Sequence, residues 1–146
     1  MHVKFISTEE TYPLRHKILR PELTSGVCYF PKDNEPGTFH LATVYDGQII
    51  SVGTFTKSNL PFFSTPSQCH LKGMATSEAH RGLNAGSMLL KFAIDYLKGN
   101  NVELLWCNAR ITAVGFYKKL GFTEIGDTFE VEGIGLHKTM YIELKD

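Results

Sequence analysis

Residues 80–92, HRGLNAGSMLLKF, crowd an arginine, an asparagine and two glycines into a short turn that runs into an apolar-faced helix. The first N–H groups of a helix have no intrahelical partner, and the aligned peptide dipoles add partial positive charge there. Such an end takes phosphate groups readily. Gly82 and Gly86 carry no side chain to block close approach, and Asn84 is among the few non-glycine residues that tolerate a positive φ. Arg81 adds a full charge beside the backbone donors. The turn therefore reads as an anion cradle, although from these residues alone a merely flexible helix start reads equally well. The Gly-Lys-Ser/Thr ending of a Walker A loop is missing, and the spacing is not that of a G-x-G-x-x-G fingerprint.

Few other residues group by spacing. The six histidines form no H-x-x-x-H pair, and Cys28, Cys69 and Cys107 form no C-x-x-C pair, so neither a zinc site nor a disulfide framework is expected. Reduced thiols suit a cytoplasmic location. Cys107 ends an apolar run and reads as an inert buried thiol, not a nucleophile. Fifteen basic and fifteen acidic residues balance to zero, which argues against a broad electrostatic grip on nucleic acid. No stretch approaches the roughly 18 apolar residues of a membrane span, and the opening residues lack the apolar core of a signal peptide. The 146 residues suit one domain, 1–146, with no membrane or nucleic-acid partner.

The elements that must position the turn follow from periodicity. HVKFIS alternates as a short strand, and residues from Thr8 or Thr11 to Leu19 read as a helix, with Pro13 tolerable only near its first turn. Residues 20–37 are rich in chain breakers and read as a long loop, a length often associated with function. Asp46-Gly47 between two β-rich runs signals a hairpin. Residues 69–76 form a strand weakened by Gly73, and residues 86–98 a helix with Leu89, Phe92, Ala93, Tyr96 and Leu97 on its buried face. Residues 102–107 read as a strand covered on both faces. A second helix carries Ala113, Phe116, Tyr117 and Leu120 on one side, and two closing strands follow. The order β-α-β-β-β-α-β-α-β-β predicts an α/β (α+β) domain with one mixed sheet and helices on its faces.

HRGLNAGSMLL resembles the motif Q/R-x-x-G-x-G/A of the GNAT acyltransferase superfamily, with Arg81 at the first position, Gly86 at the last and Asn84 where the middle glycine usually stands. Residues 108–122, NARITAVGFYKKLGF, are similar to a later signature of that family, A-x-x-x-Y followed by G-F, with Arg110 where many members have asparagine. The closing EGIGLHKTMYIEL is like the last strands of several small bacterial members. The resemblance implies a mostly antiparallel sheet of about seven strands that splays between the fourth and fifth strands. It also implies transfer of an acetyl group from acetyl-CoA to a primary amine of a small molecule or an exposed amino group. A non-catalytic CoA-binding or sensing module is the alternative on the same fold. A binder of nucleotide or phosphate through the turn alone is a third reading. A homodimer follows from family habit only.

Carried over residue by residue, the resemblance assigns the pantetheine arm to Met74, Ala75 and Thr76. It assigns the pyrophosphate to Arg81, Gly82, Leu83, Asn84, Ala85, Gly86 and Ser87, and further cofactor contacts to Arg110, Ala113 and Phe116. Lys72, Lys118 and Lys119 are further candidates for the ribose phosphate, although late helix lysines also simply complement the dipole. Tyr117, a plain core aromatic by periodicity, matches the tyrosine that protonates the departing thiolate. His137 is the first candidate base and His70 the second, ahead of His16, His40 and His80. For each of these a hydrogen-bonded structural role is the plainer reading, and water could carry the proton. Arg15, Arg20 and Asp33, with the segment NLPFFSTP, are candidates for an acceptor wall, or for surface salt bridges.

Overall fold

The computed structural model describes residues 1–144. Seven strands form one sheet in the order β1-β2-β3-β4-β5-β7-β6. They are β1 (His2–Ile6), β2 (Phe39–Tyr45), β3 (Gln48–Lys57), β4 (Gln68–Thr76), β5 (Leu104–Arg110), β6 (Thr123–Val131) and β7 (Gly135–Glu143). Every neighbouring pair is antiparallel except β4 and β5, which run parallel. The expected mixed sheet and element order are therefore present.

Three helices cover the sheet: α1 (Thr8–Leu14), α2 (Ala85–Gly99) and α3 (Val114–Lys119). Leu89, Leu90, Ala93 and Leu97 of α2 join Tyr117 of α3 in a core with Leu41, Phe55, Leu71, Leu105 and Met140. Leu14 of α1 packs with Ala42, Val52 and Ala75. Successive strand residues point to opposite faces, so Leu41 and Ala42 divide between the two clusters. The reading of the α2 face needs one correction: Phe92 and Tyr96 stay more than a third exposed. Their rings instead meet Phe5 of β1 edge-on at 5.9 and 5.1 Å.

Helix α1 starts at Thr8 because Ser7 caps it. The Ser7 hydroxyl accepts from the Glu10 N–H, and the Glu10 carboxylate accepts from the Ser7 N–H. This places Pro13 beyond the first turn, contrary to expectation. After Leu14 the chain widens into a π-helical stretch, Arg15–Leu19, closed by the Arg20 N–H on the Arg15 carbonyl at 3.1 Å. The wider turn sends Arg15 inward. Its guanidinium makes two parallel 2.7 Å bonds to the Asp33 carboxylate and also donates to Cys28 O and Thr54 Oγ1. His40 joins through Thr54 and Thr8. Both partners of the Arg15–Asp33 pair are fully buried. Neither belongs to an acceptor wall or to a surface salt bridge: together they pin the long loop after α1 to the sheet.

Candidate active site

The site begins where a ladder stops. Strands β4 and β5 pair from Gln68↔Leu104 to Leu71↔Cys107. Beyond that point β5 continues against β7, through Asn108↔Thr139 to Arg110↔His137, while β4 continues only on β3. The splay expected between the fourth and fifth strands is thus present, and β4 keeps one open edge over residues 72–76. A local cause is visible on β4. Gly73 and Met74 together oppose Gly53, forming a bulge, and bulges bend and twist the strand that carries them. Gly73 has φ +62°, and a Cβ there would lie 2.6 Å from Phe30 Cε2. The Phe30 ring sits under the Arg15 guanidinium, 4.0 Å from its carbon. The buried knot therefore presses an aromatic ring of the long loop onto the bulge.

A cavity of about 510 Å³ occupies the opening. Met74, Ala75 and Thr76 line it from β4, and Arg81, Arg110, Ala113, Tyr117 and His137 line it from elsewhere. Parts of motifs distant along the chain thus meet around one space, although of the turn residues 81–87 only Arg81 lines it. Residues 81–84 are exposed, and Asn84 adopts the left-handed conformation with φ +61°. The first bond of α2 runs from the Met88 N–H to Asn84 O at 3.0 Å, so the N–H groups of Ala85, Gly86 and Ser87 precede the helical ladder. Gly82 has open space where a side chain would be. Gly86 does not: a Cβ there would meet Met74 Cε at 3.1 Å and Phe116 Cζ at 3.2 Å. The reason expected for Gly86 is corrected accordingly. Its lack of a side chain lets Met74 and Phe116 close over the helix start. Phe116 packs there and edge-on against Tyr117, and does not line the cavity.

Tyr117 is buried at the cavity, with the Cys107 thiol close to its phenol. Burial, reinforced by Cys107, raises the phenol pKa well above its usual 10, so the hydroxyl keeps its proton. Burial pushes the Cys107 thiol up to about 12, which leaves it without thiolate character. His137 Nδ1 lies 2.9 Å from the Gly135 carbonyl, which can only accept. Nδ1 therefore carries a proton and donates it to that carbonyl, which leaves Nε2 as the ring's second nitrogen. His70 also lines the cavity, stacked on Trp106 at 3.6 Å. Burial pushes its pKa down to about 3, too weak for a base at neutral pH.

Other expected residues are placed elsewhere. His16 approaches Leu23 O, His40 lies in the buried knot, and His80 contacts Ser77 Oγ; none lines the cavity. Lys118 pairs with Glu124 at 2.7 Å on the surface, away from the cavity, and Lys119 does not line it either. Arg110 lines the cavity but donates to the Leu19 carbonyl at 3.0 Å, tying β5 to the π-helical stretch. The segment NLPFFSTP does not line this cavity. Leu60 N–H bonds Gln68 Oε1 and Trp106 Nε1 bonds the nearby Ser58 O, which holds this segment at the closed end of β4. Arg20 does line the cavity, as do Ile18, Leu19 and Phe30, which sequence reasoning missed. The long breaker-rich loop was the only signal for Phe30.

A family model for the acetyltransferase (GNAT) domain matches residues 21–144. The chain is 43% identical over 145 residues to the uncharacterised N-acetyltransferase YitI of Bacillus subtilis (strain 168), covering 99% of this chain and 97% of that protein. The chain belongs to the GNAT acetyltransferase family. Among solved structures, Escherichia coli ElaA superposes with a TM-score of 0.73 at 16% identity, over 96% of this chain and 97% of that one. An aminoglycoside 6'-N-acetyltransferase, solved with coenzyme A, superposes with a TM-score of 0.70 at 12% identity, over 100% and 98%. At these identities the two structures establish the fold.

Proposed function

We propose that this protein transfers an acetyl group from acetyl-CoA directly to a primary amine of a small molecule or an exposed amino group. The observation that carries the reading is the open edge of β4 at the splay, with Tyr117 and His137 beside it and the start of α2 at the Arg81 turn. The residues fit the cosubstrate: an unpaired strand edge can hydrogen-bond the amides of an extended arm, and the free N–H groups of α2 can take a pyrophosphate. Acetyl-CoA, when bound, supplies a thioester carbonyl and a sulfur leaving group.

Met74, Ala75 and Thr76 hold the arm through their backbone groups. Gly82 to Ser87 and Arg81 hold the anionic end. His137 Nε2, directly or through a water, accepts the proton that the amine must lose, because a free alkylamine of pKa about 10.4 is mostly charged at neutral pH. Tyr117, kept protonated by its burial, donates its proton to sulfur as the C–S bond breaks and the C–N bond forms. Cys107 takes no covalent part.

Calorimetric titration with acetyl-CoA, with ATP as control, followed by a thiol-release screen over amines, tests the reading. Acetyl-CoA binding without ATP binding, together with amine-dependent thiol release, is expected. Tyr117→Phe should lower kcat at least about 100-fold while acetyl-CoA affinity is retained. Turnover at the parent rate would remove Tyr117 from its role. Acetyl-CoA binding with no turnover of any amine would leave a CoA-binding module.

A further inference from the structure

The charge of the cavity lining selects among amines. Arg20, Lys72, Arg81 and Arg110 line it, and no described aspartate or glutamate does. Three of these cations have tasks. Arg20 pairs with Glu22, Arg110 donates to Leu19 O, and Arg81 stands at the turn assigned to the pyrophosphate. Lys72 has none. It is half-buried on β4, ahead of the bulge and further along the strand from the Arg81 turn than residues 74–76. Its Nζ lies 5.7 Å from the centre of the Phe30 ring, which also lines the cavity. Among the described residues it makes no ion pair. Asp33, the carboxylate whose charge it feels, is already engaged on both oxygens by Arg15 and by the Phe30 N–H. Burial, Lys32 and Arg15 all act against the Lys72 charge and lower its pKa. A partly desolvated cation without a counter-charge is unfavourable until an anion joins it.

We propose that the acceptor carries, besides its amine, a carboxylate or phosphate group that Lys72 receives. This deepens the acetyltransfer reading and rests on it. A polycationic acceptor would meet like charges and no carboxylate in this cavity. An acceptor with one anion brings the missing counter-charge, and its attachment to Lys72 turns the amine toward the open edge of β4.

Matched pairs of amines test this: O-phosphoethanolamine against ethanolamine, phenylalanine against phenethylamine, and spermidine as the polycation. Thiol release with acetyl-CoA gives kcat/KM for each. The anionic member of at least one pair should exceed its partner by about tenfold or more, the scale of one charge-assisted hydrogen bond. Which pair responds separates phosphate from carboxylate. In Lys72→Met that ratio should collapse toward one through KM, whereas Lys72→Arg should keep it, with thermal melting confirming that both variants fold. A preference for spermidine or for the uncharged-tail members, or a ratio that survives in Lys72→Met, overturns the inference alone. Failure to bind acetyl-CoA, or to release thiol with any amine, overturns it together with the acetyltransfer reading.

Discussion

The two halves of β4 share one strand and have opposite surroundings. From Gln68 to Leu71 it is paired on both edges, to β3 and to β5, and its side chains are buried. There His70 lies flat on Trp106, and Trp106 is fastened to Ser58 O. From Lys72 to Thr76 one edge is open, and the strand bulges at Gly73. The closed half holds the sheet together, and the open half leaves one row of backbone donors and acceptors outside the ladder. Backbone polar groups are rarely left unpaired unless water or a ligand meets them. The change within one strand thus marks the site more sharply than any single side chain. Behind the open half stands the Arg15–Asp33 knot, a buried polar structure that supports Phe30 against the bulge.

Three perturbations would break or sharpen this contrast. The largest is Asp33→Asn. It leaves the buried Arg15 guanidinium without its counter-charge, and breaking such a pair costs about 3–5 kcal/mol. Denaturant unfolding should show a loss of that order, and a change below about 1 kcal/mol would show that the knot does not hold the loop.

The second concerns the closed half and pH. The folded state keeps His70 neutral, with its pKa down to about 3, while the unfolded chain takes up a proton on this histidine below about 6.5. The folded pKa is depressed, so the unfolded state binds more protons in that window. Stability should be fully present above pH 6.5 and fall as pH drops toward 3, by about 1.4 kcal/mol per pH unit per proton. Burial also lowers the pKa of His40, which adds to the slope. Unfolding free energies of His70→Gln between pH 5 and 7 should show a shallower slope than the parent. An unchanged slope would mean that His70 is not held neutral.

The smallest effect is expected at the bulge. Gly73→Ala puts a side chain at φ +62°, which costs about 1–2 kcal/mol, and pushes the Phe30 ring aside. Because that ring lines the cavity, amine kinetics should change more than the melting temperature indicates. Unaltered kinetics would detach Phe30 from the acceptor site.

Much of this was legible in the chain. Asp46-Gly47 turns the β2–β3 hairpin, and Asn84 accepts the left-handed conformation before α2. Each is a short-range rule in which a residue satisfies its own backbone or its near neighbours. Spacing on α3 likewise placed Tyr117 inward. Long-range contacts were not legible. Arg15 and Asp33 read as an acceptor wall or as surface salt bridges, since charged residues rarely bury unless paired, and their pairing spans 18 positions. Gly86 read as room for an anion, and only packing showed Met74 and Phe116 filling that room.

The sequence by itself determined the order of elements, the turn before α2 and the tyrosine of α3, because capping, turn chemistry and periodicity act over a few residues. Tertiary structure alone decided the residue at which β4 parts from β5, which histidines reach the cavity, and which of its cations are left without an ion pair. Those outcomes depend on burial and on groups brought together from distant segments, and no local pattern encodes either.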